Sequence, residues 1–408
     1  MNRQVGTFFA INLTLLAQAC SPISTGDTHA LPDGEPPTSH VITSDSSARI
    51  DELVTEFIQN NELPGVSVGV IAQDKILHCA GYGWADLATS REMTGDTPIL
   101  LSSISKTFVG VAAMQGVEEE RFTLQTPLAD LVGFPVDNPK VEGESITLEH
   151  MLTHNSGLRD SFEYGAAYAD GDPTISLSAF SKGYVTPGGE YYRRANWSND
   201  APNDSFSYSN VGMAMAGLAI GRAYDTEFKA HVDAMILTPL GMEQSAYFLA
   251  DLQQDPATPY KVRAFGGVKE YEQYGYPTYP DGMMRSSACD MSRFMLAISN
   301  KGELEGTRIL EEASVDTLLE INEAWGTDEH GQAIAWASRE MGGHRLFGHN
   351  GGDFGSATEM WIDRDDRVGV VILLNSDPGS SDGWQALIDM EKELLDLARK
   401  IEATAATD

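Results

Sequence analysis

The stretch VSVGVIAQDKILHCAGYGWAD, Val66 to Asp86, holds two strand-like runs, VSVGVIA and ILHCAGYGWAD, joined by the polar turn Gln73-Asp74-Lys75. Short runs rich in Val, Ile and aromatics, separated by a few turn residues, read as a hairpin. A second pair lies near the other end of the chain. ATEMWID, a turn at RDDR and VGVVILLN fill Ala357 to Asn375. Each hairpin is flanked by a helical pattern. Ile50, Leu53, Val54, Phe57 and Ile58 recur at helical spacing and stop at Pro64-Gly65, and an amphipathic stretch runs from Asp382 to Ala403. Between the hairpins the patterns are mostly helical, clearest in NVGMAMAGLAIGRAYD and EFKAHVDAMILTPLGM. Strands at both ends with helices between them predict an α+β fold. The expectation is a central antiparallel β-sheet built from both hairpins, flanked by the N- and C-terminal helices, with the middle block forming a mostly helical lobe and a cleft between the two.

The chain has 408 residues, 42% of them hydrophobic, enough for a large core. Acidic residues outnumber basic ones 60 to 27, for a net charge of −33. Such a surface repels phosphate backbones, so no nucleic-acid partner is expected, and it repels anionic headgroups as well.

The first residues, MNRQVGTFFAINLTLLAQACSP, carry Arg3 and then an apolar run from Val5 to Ala19. That run is short for a membrane span and suits a signal peptide over 1–19. LLAQAC ends in small residues before Cys20 and resembles a bacterial lipobox, with Ala17 where leucine is usual. Lipidation at Cys20 and ordinary export with cleavage nearby are the two readings. Both place the protein outside the cytoplasm, as a periplasmic or outer-membrane lipoprotein in the first case, with the membrane touched only through Cys20. Residues 20–46, rich in Pro, Gly, Ser, Thr and Asp, read as the anchor cysteine and a disordered tether. The folded domain is expected over 47–402, with 403–408 a tail. Only Cys79 and Cys289 remain, each in an ordinary core-like segment, and they read as two free buried thiols rather than a pair.

The chemistry centres on PILLSSISKTFVGVAAMQGVEEE, which reads as a helix from about Ser103. Positions three and four apart share a helix face, so Lys106 reaches Ser103 and also Ser102, while Ser105 points elsewhere. A serine hydroxyl is a weak nucleophile until a base takes its proton, and a lysine can be that base when burial holds its amine uncharged. Spacing alone leaves Ser102 and Ser103 tied.

Two further segments matter: FSYSNVGMAMAGLA, with Tyr208, Ser209 and Asn210 at the mouth of a helix, and RLFGHNGGDFGSATEMWID, with His349-Asn350-Gly351-Gly352 at a strand. Together with Ser103-Ile104-Ser105-Lys106 they resemble the ordered motifs Ser-x-x-Lys, Tyr-x-Asn and Lys/His-x-Gly of the serine β-lactamase and penicillin-binding superfamily. LTHNSGL (152–158), TPLGM (238–242) and MRSSACDMSRF (284–294) are similar to the class C β-lactamase-related branch. The resemblance spans about Ile50 to Arg399.

The resemblance implies a β-lactamase/transpeptidase-like fold and breaks the tie. A small residue precedes the nucleophile in this branch, Ser102 takes that place, and Ser103 is the nucleophile. Lys106 and Tyr208 would then share the proton as a coupled pair. Asn210 would hold Lys106 and the substrate amide. His349, where most β-lactamases carry lysine, would line the wall opposite Ser103. The oxyanion hole would be the N–H groups of Ser103 and Gly352, with Gly351 letting substrate backbone approach. No cofactor and no metal are implied, and the partner is a small-molecule or peptide substrate, including peptidoglycan-derived ones. The implied activity is hydrolysis of amides or esters, D-amino-acid peptides or short-chain esters above all. A β-lactamase and a non-turnover, sensor-like penicillin-binding protein are the alternatives, the former weakened because a permanent cation suits a lactam carboxylate better than His349 does.

Other motifs fall away. GSSDG (379–383) matches a hydrolase nucleophile elbow, but no histidine follows Ser381. His150 and His154 are spaced as in helical zinc sites, yet Met151 stands where the glutamate should be. Tyr-rich YEQYGYPTYP (271–280) reads equally as cleft lining, interface or loop packing.

Overall fold

The computed structural model describes residues 23–43, 47–321 and 330–405. The signal peptide, Cys20 and the last three residues of the expected tail lie outside the described residues. In chain order the elements that place the site are β1 (Thr25–His29), β2 (Thr38–Ile42), α1 (Ser47–Asn61), β3 (Gly65–Ala72) and β4 (Lys75–Asp86). They continue with α2 (Lys106–Glu118), α3 (Asn210–Ala223), β5 (Val268–Tyr271) and α4 (Ala288–Ser299). Last come β6 (His330–Gln332), β7 (Ala337–Met341), β8 (His344–Asp353), β9 (Ser356–Asp363), β10 (Val368–Leu374) and α5 (Ser381–Ala405).

The two hairpins join as expected. A nine-stranded sheet runs β6-β7-β8-β9-β10-β3-β4-β2, with a short strand at Arg91–Glu92 also on β4. Strands β10 and β3, far apart in the chain, pair antiparallel with Val370 opposite Val70 and Leu374 opposite Val66. Both are buried along their whole length, which is why their sequences are near-continuous apolar runs rather than alternating ones. Val68, Val70, Val370 and Ile372 face α1 and α5, packing with Ile50, Val54, Leu387 and Leu394. Ile71, Val371 and Leu373 face the other way, into the helical lobe. There α2 and α4 meet through Phe108 stacked on Phe294, ring centroids 4.3 Å apart, a pairing worth about 1 kcal/mol beyond area burial. Among the described residues no helix is long and apolar enough to cross a membrane.

Two expectations are corrected. The segment read as a disordered tether carries β1 and β2, so ordered structure begins well before residue 47. β1 pairs with β5 (Thr28 opposite Lys269), and β2 adds to the sheet edge at β4 (His40 opposite Ala80). Edge strands are held by main-chain hydrogen bonds, which polar sequence supplies as well as apolar sequence does. The absence of an apolar pattern therefore carried no information there. The cysteines also do not stay free: Cys79 on β4 and Cys289 in the first turn of α4 form a disulfide, Cα atoms 5.5 Å apart. Gly95 makes the room, since a β-carbon there would sit 2.7 Å from Cys79 Sγ and 2.9 Å from Cys289 Sγ.

Candidate active site

The serine turn begins where Leu101 N–H donates to Met284 C=O at 2.8 Å. Ser102 then takes a left-handed backbone, φ 50°, which costs a non-glycine residue about 1 kcal/mol or more. The start of β9 holds it there. Ser102 Oγ donates to Ser356 Oγ (3.0 Å), Ser356 Oγ to Leu100 C=O (2.7 Å), and Thr358 Oγ1 to Leu101 C=O (2.8 Å). Residues 102–105 form a 3-10 turn that runs straight into α2 at Lys106, so the helix expected from Ser103 starts three residues later. The left-handed step turns Ser102 towards Ser356 on the sheet and sends Ser103 towards Lys106 and Tyr208. The two serines, equivalent by spacing, are thereby separated.

Ser103 Oγ lies 2.8 Å from Lys106 Nζ and 3.0 Å from the Tyr208 hydroxyl. Lys106 is fully buried. Its amine also donates to Asp281 C=O at 2.7 Å and stands 5.1 Å from the centre of the Tyr208 ring. Three groups from positions 103, 106 and 208 thus share one proton-transfer distance. Tyr208 precedes Ser209, the N-cap of α3, whose Oγ accepts from Gly212 N–H at 3.0 Å.

Two residues outside the three catalytic motifs brace Tyr208 and the helix start beside it. His154, of LTHNSGL, stacks on the Tyr208 ring with centroids 4.3 Å apart, and its Nδ1 accepts from Ser209 N–H at 3.2 Å. Burial first, then the charge of Lys106, holds the His154 ring well below its ordinary protonation range, so it is a neutral platform. Asp160 closes the start of α3. Its carboxylate accepts from Asn210 N–H (2.9 Å), Val211 N–H (3.1 Å), Ser209 Oγ (3.1 Å) and Asn210 Nδ2 (2.9 Å). The Asn210 amide donates to Asp160 rather than contacting Lys106, a correction to its expected role. The carboxylate, already seated on two backbone donors at the helix N-terminus, fixes the amide through Nδ2, while the Lys106 amine finds its acceptors in Ser103 Oγ and Asp281 C=O. LTHNSGLRD contained the signal for both residues, but nothing in one dimension tied it to Tyr208.

His349 lies on β8, an interior strand of the sheet, its ring 6.3 Å from that of Tyr208 and its Nδ1 2.5 Å from Asn350 C=O. Burial, then Lys106, pushes it down to about 3, so the ring is uncharged at neutral pH and its Nδ1 is the donor. Gly351 marks the crossing of β8 over the serine turn. A β-carbon on it would come within 2.5 Å of Leu101 O and 2.8 Å of Ser102 Cβ. Gly352 follows, paired opposite Ala357. Asp281 and Asp353 are buried beside this centre, raised to about 7 and about 6 by desolvation.

The tyrosine-rich segment packs inward. Tyr276 stacks on Tyr168 at 4.2 Å, and Tyr164 hydroxyl donates to Asp281 at 3.3 Å. His150 closes the first turn of its own helix and contacts Asn203 Nδ2 at 2.8 Å, and it belongs to neither of the clusters of three metal-ligating side chains among the described residues.

A family model described as Beta-lactamase matches residues 50–389. Among curated proteins, Protein flp of Staphylococcus aureus is 22% identical over 255 residues, covering 62% of this chain and 49% of that protein. The chain thus spans about half the length of that relative. Esterase EstB of Burkholderia gladioli is 25% identical over 377 residues, covering 81% of this chain and 90% of EstB. The D-amino acid amidase of Ochrobactrum anthropi superposes with a TM-score of 0.68 at 21% identity, over 89% of this chain and 99% of that one. At that identity the likeness speaks to the fold alone.

Proposed function

The chain belongs to the Beta-lactamase family, and from that premise we propose that it is an exported serine hydrolase working through an acyl-enzyme on Ser103. One observation carries this reading: Ser103 Oγ sits 2.8 Å from a buried lysine amine and 3.0 Å from a phenol 105 residues downstream. In the proposed cycle the Lys106–Tyr208 pair takes the Ser103 proton as Oγ bonds to the substrate carbonyl carbon. The negative charge that develops on the carbonyl oxygen is met by the N–H groups of Ser103 and Gly352, each such donor worth about 3 kcal/mol in the transition state. The C–N or C–O bond then breaks, and the proton passes through Tyr208 to the leaving group. Water, losing its proton to the same pair, hydrolyses the ester on Ser103.

The substrates are amides or esters. EstB bears the name esterase and the O. anthropi protein that of a D-amino acid amidase, and D-amino-acid derivatives and short esters are the classes proposed here. An uncharged His349 offers a hydrogen bond but no cation. That ranks D-amino amides and esters, whose leaving side carries no charge, above D-alanyl peptides and β-lactams, which present a carboxylate. Arg193, the loop cation nearest in the sequence to Tyr208 apart from Arg194, is paired with Glu163 at 2.7 Å. Export is supported by the Cys79–Cys289 bridge, since disulfides persist in oxidising compartments, and by the sequence before Cys20.

The test is a panel of p-nitrophenyl acetate, a D-amino amide, a D-Ala-D-Ala peptide and nitrocefin, compared by kcat/KM, with Ser103→Ala as control. Sustained ester or amide turnover that vanishes in the variant is expected. A stoichiometric burst without turnover, or nitrocefin as the best substrate, would overturn the reading.

A further inference from the structure

On the opposite face of the sheet from Ser103, three metal-ligating side chains from three elements meet. His40 comes from β2, Asp51 from α1 and His78 from β4, and their donor atoms all lie within 4.8 Å of one another. His40 Nε2 is 2.8 Å from Asp51 Oδ1 and 3.0 Å from Oδ2, while His78 Nε2 is 4.0 Å from Oδ1. The Tyr82 hydroxyl stands beside them, 2.7 Å from His78 Nε2 and 2.8 Å from Asp51 Oδ1. We propose that His40, Asp51 and His78 form a site for a divalent transition metal of the zinc class, which fastens the N-terminal strand to the domain.

Four features argue for it. The donor set is two imidazole nitrogens and one carboxylate, the chemistry that favours Zn²⁺, Ni²⁺ or Cu²⁺ over Mg²⁺ or Ca²⁺. Ligands about 2.1 Å from a tetrahedral ion stand about 3.4 Å apart, and the observed spacings of 2.8 and 4.0 Å bracket that value. An outer partner is in place: Ser47 Oγ lies 3.0 Å from His78 Nδ1. In the metal-free fold Tyr82 O–H donates to Asp51 Oδ1, so His78 Nε2–H donates to the Tyr82 oxygen. A metal would take the place of that Nε2 proton, with the ring proton moved to Nδ1 and accepted by Ser47 Oγ. Finally, exposure is graded. His78 is wholly buried, and the side chains of Asp51 and His40 are 26% and 32% exposed, so the centre has a rigid floor and a solvent mouth. The only other such cluster among the described residues, His344 with Asp363 and Asp366, lacks this character, because Arg399 pairs with both carboxylates at 2.8 and 2.9 Å.

The site would add a side-chain tie to the main-chain pairing that holds this polar strand on the sheet edge. Its single histidine becomes a cross-link between β2, α1 and β4.

The test uses the untagged full chain, stripped with chelator and titrated with Zn²⁺ by calorimetry, alongside thermal melts. One equivalent should bind at micromolar or lower Kd. At a free Zn²⁺ concentration of 100 Kd, the folded-to-unfolded ratio should rise about 100-fold. Co²⁺ in the same place should give the visible absorption of a tetrahedral ion. His40→Ala, at the exposed rim, and Asp51→Asn should each weaken Zn²⁺ binding at least 10-fold while leaving hydrolytic turnover unchanged. No binding heat and no melting shift with wild type would overturn the proposal, as would binding that survives His40→Ala unweakened. A hydrogen-bonded network of His40, Asp51, Tyr82 and His78 without metal is the reading that would then stand.

Discussion

The crossing of β8 over the serine turn gives the sharpest test of how the site is built, through Gly351→Ala. A β-carbon at 351 would meet Leu101 O at 2.5 Å and Ser102 Cβ at 2.8 Å, with Thr358 Oγ1 at 2.4 Å. Ordinary contact begins near 3.5 Å, so the strand and the turn must part by about 0.7–1 Å. Neither neighbour can yield cheaply. Leu101 O is backbone and already bonded to Thr358 Oγ1, and Ser102 is fixed in a left-handed conformation by Ser356. The two proposed oxyanion donors, Ser103 N–H and Gly352 N–H, lie on the two sides of this crossing, one residue away on each. A displacement of about 1 Å at a reacting centre, or the loss of one such donor, costs about 100-fold in rate. The expectation is therefore a fall of about 100-fold in kcat/KM for p-nitrophenyl acetate, carried mainly by kcat. Overpacking should also lower stability by about 1–3 kcal/mol, read in urea unfolding. Activity within threefold of wild type in a folded variant would refute both the crossing and the placement of the oxyanion hole.

Other outcomes follow from the same geometry. Tyr208→Phe keeps the ring stacked on His154 and removes only the hydroxyl, so kcat should drop about 10²–10⁴-fold with the melting temperature nearly unchanged; unaltered turnover would remove the phenol from proton transfer. Reducing the Cys79–Cys289 bridge frees a loop of 210 residues and should lower stability by as much as about 5 kcal/mol on the chain-entropy model. Urea midpoints that coincide with and without reductant would contradict this. His349 stays neutral in the fold down to about pH 3, while an unfolded ring takes its proton near 6.5. The unfolded state therefore binds more protons in that window, and the ring's effect on stability turns unfavourable as pH falls from about 6.5 towards 3. The stability of wild type relative to His349→Asn should decline across that range; parallel pH curves would show that the ring charges in place.

Much of the fold was legible because burial writes itself into the chain as periodicity. β3 and β10 announced themselves as unbroken apolar runs, and α1 and α5 as one-sided stripes. β1 and β2 did not, because their hold on the domain comes from main-chain pairing and from polar side chains such as His40, which leave no period. The disulfide was missed for a related reason: Cys79 and Cys289 look like core residues, and the gap at Gly95 that brings them together exists only in three dimensions. In the site, the motifs marked Ser103, Lys106 and Tyr208, and the structure gathers all three. They left out His154 and Asp160, which touch the chemistry through Tyr208 and the start of α3, and they assigned Asn210 a partner it does not take.

By itself the sequence determined the apolar strands and helices of the main sheet, their layering and the kinds of side chain available for catalysis, since these depend on residue type and on neighbours a few positions away. Local spacing left the two serines equal and only the family resemblance favoured Ser103; what physically separates them, what Asn210 binds and where the chain's polar beginning comes to rest are set by the tertiary structure. Those outcomes turn on contacts such as Ser102 with Ser356, 254 positions apart, where a left-handed turn and a single hydrogen bond choose between two hydroxyls that local spacing leaves equal.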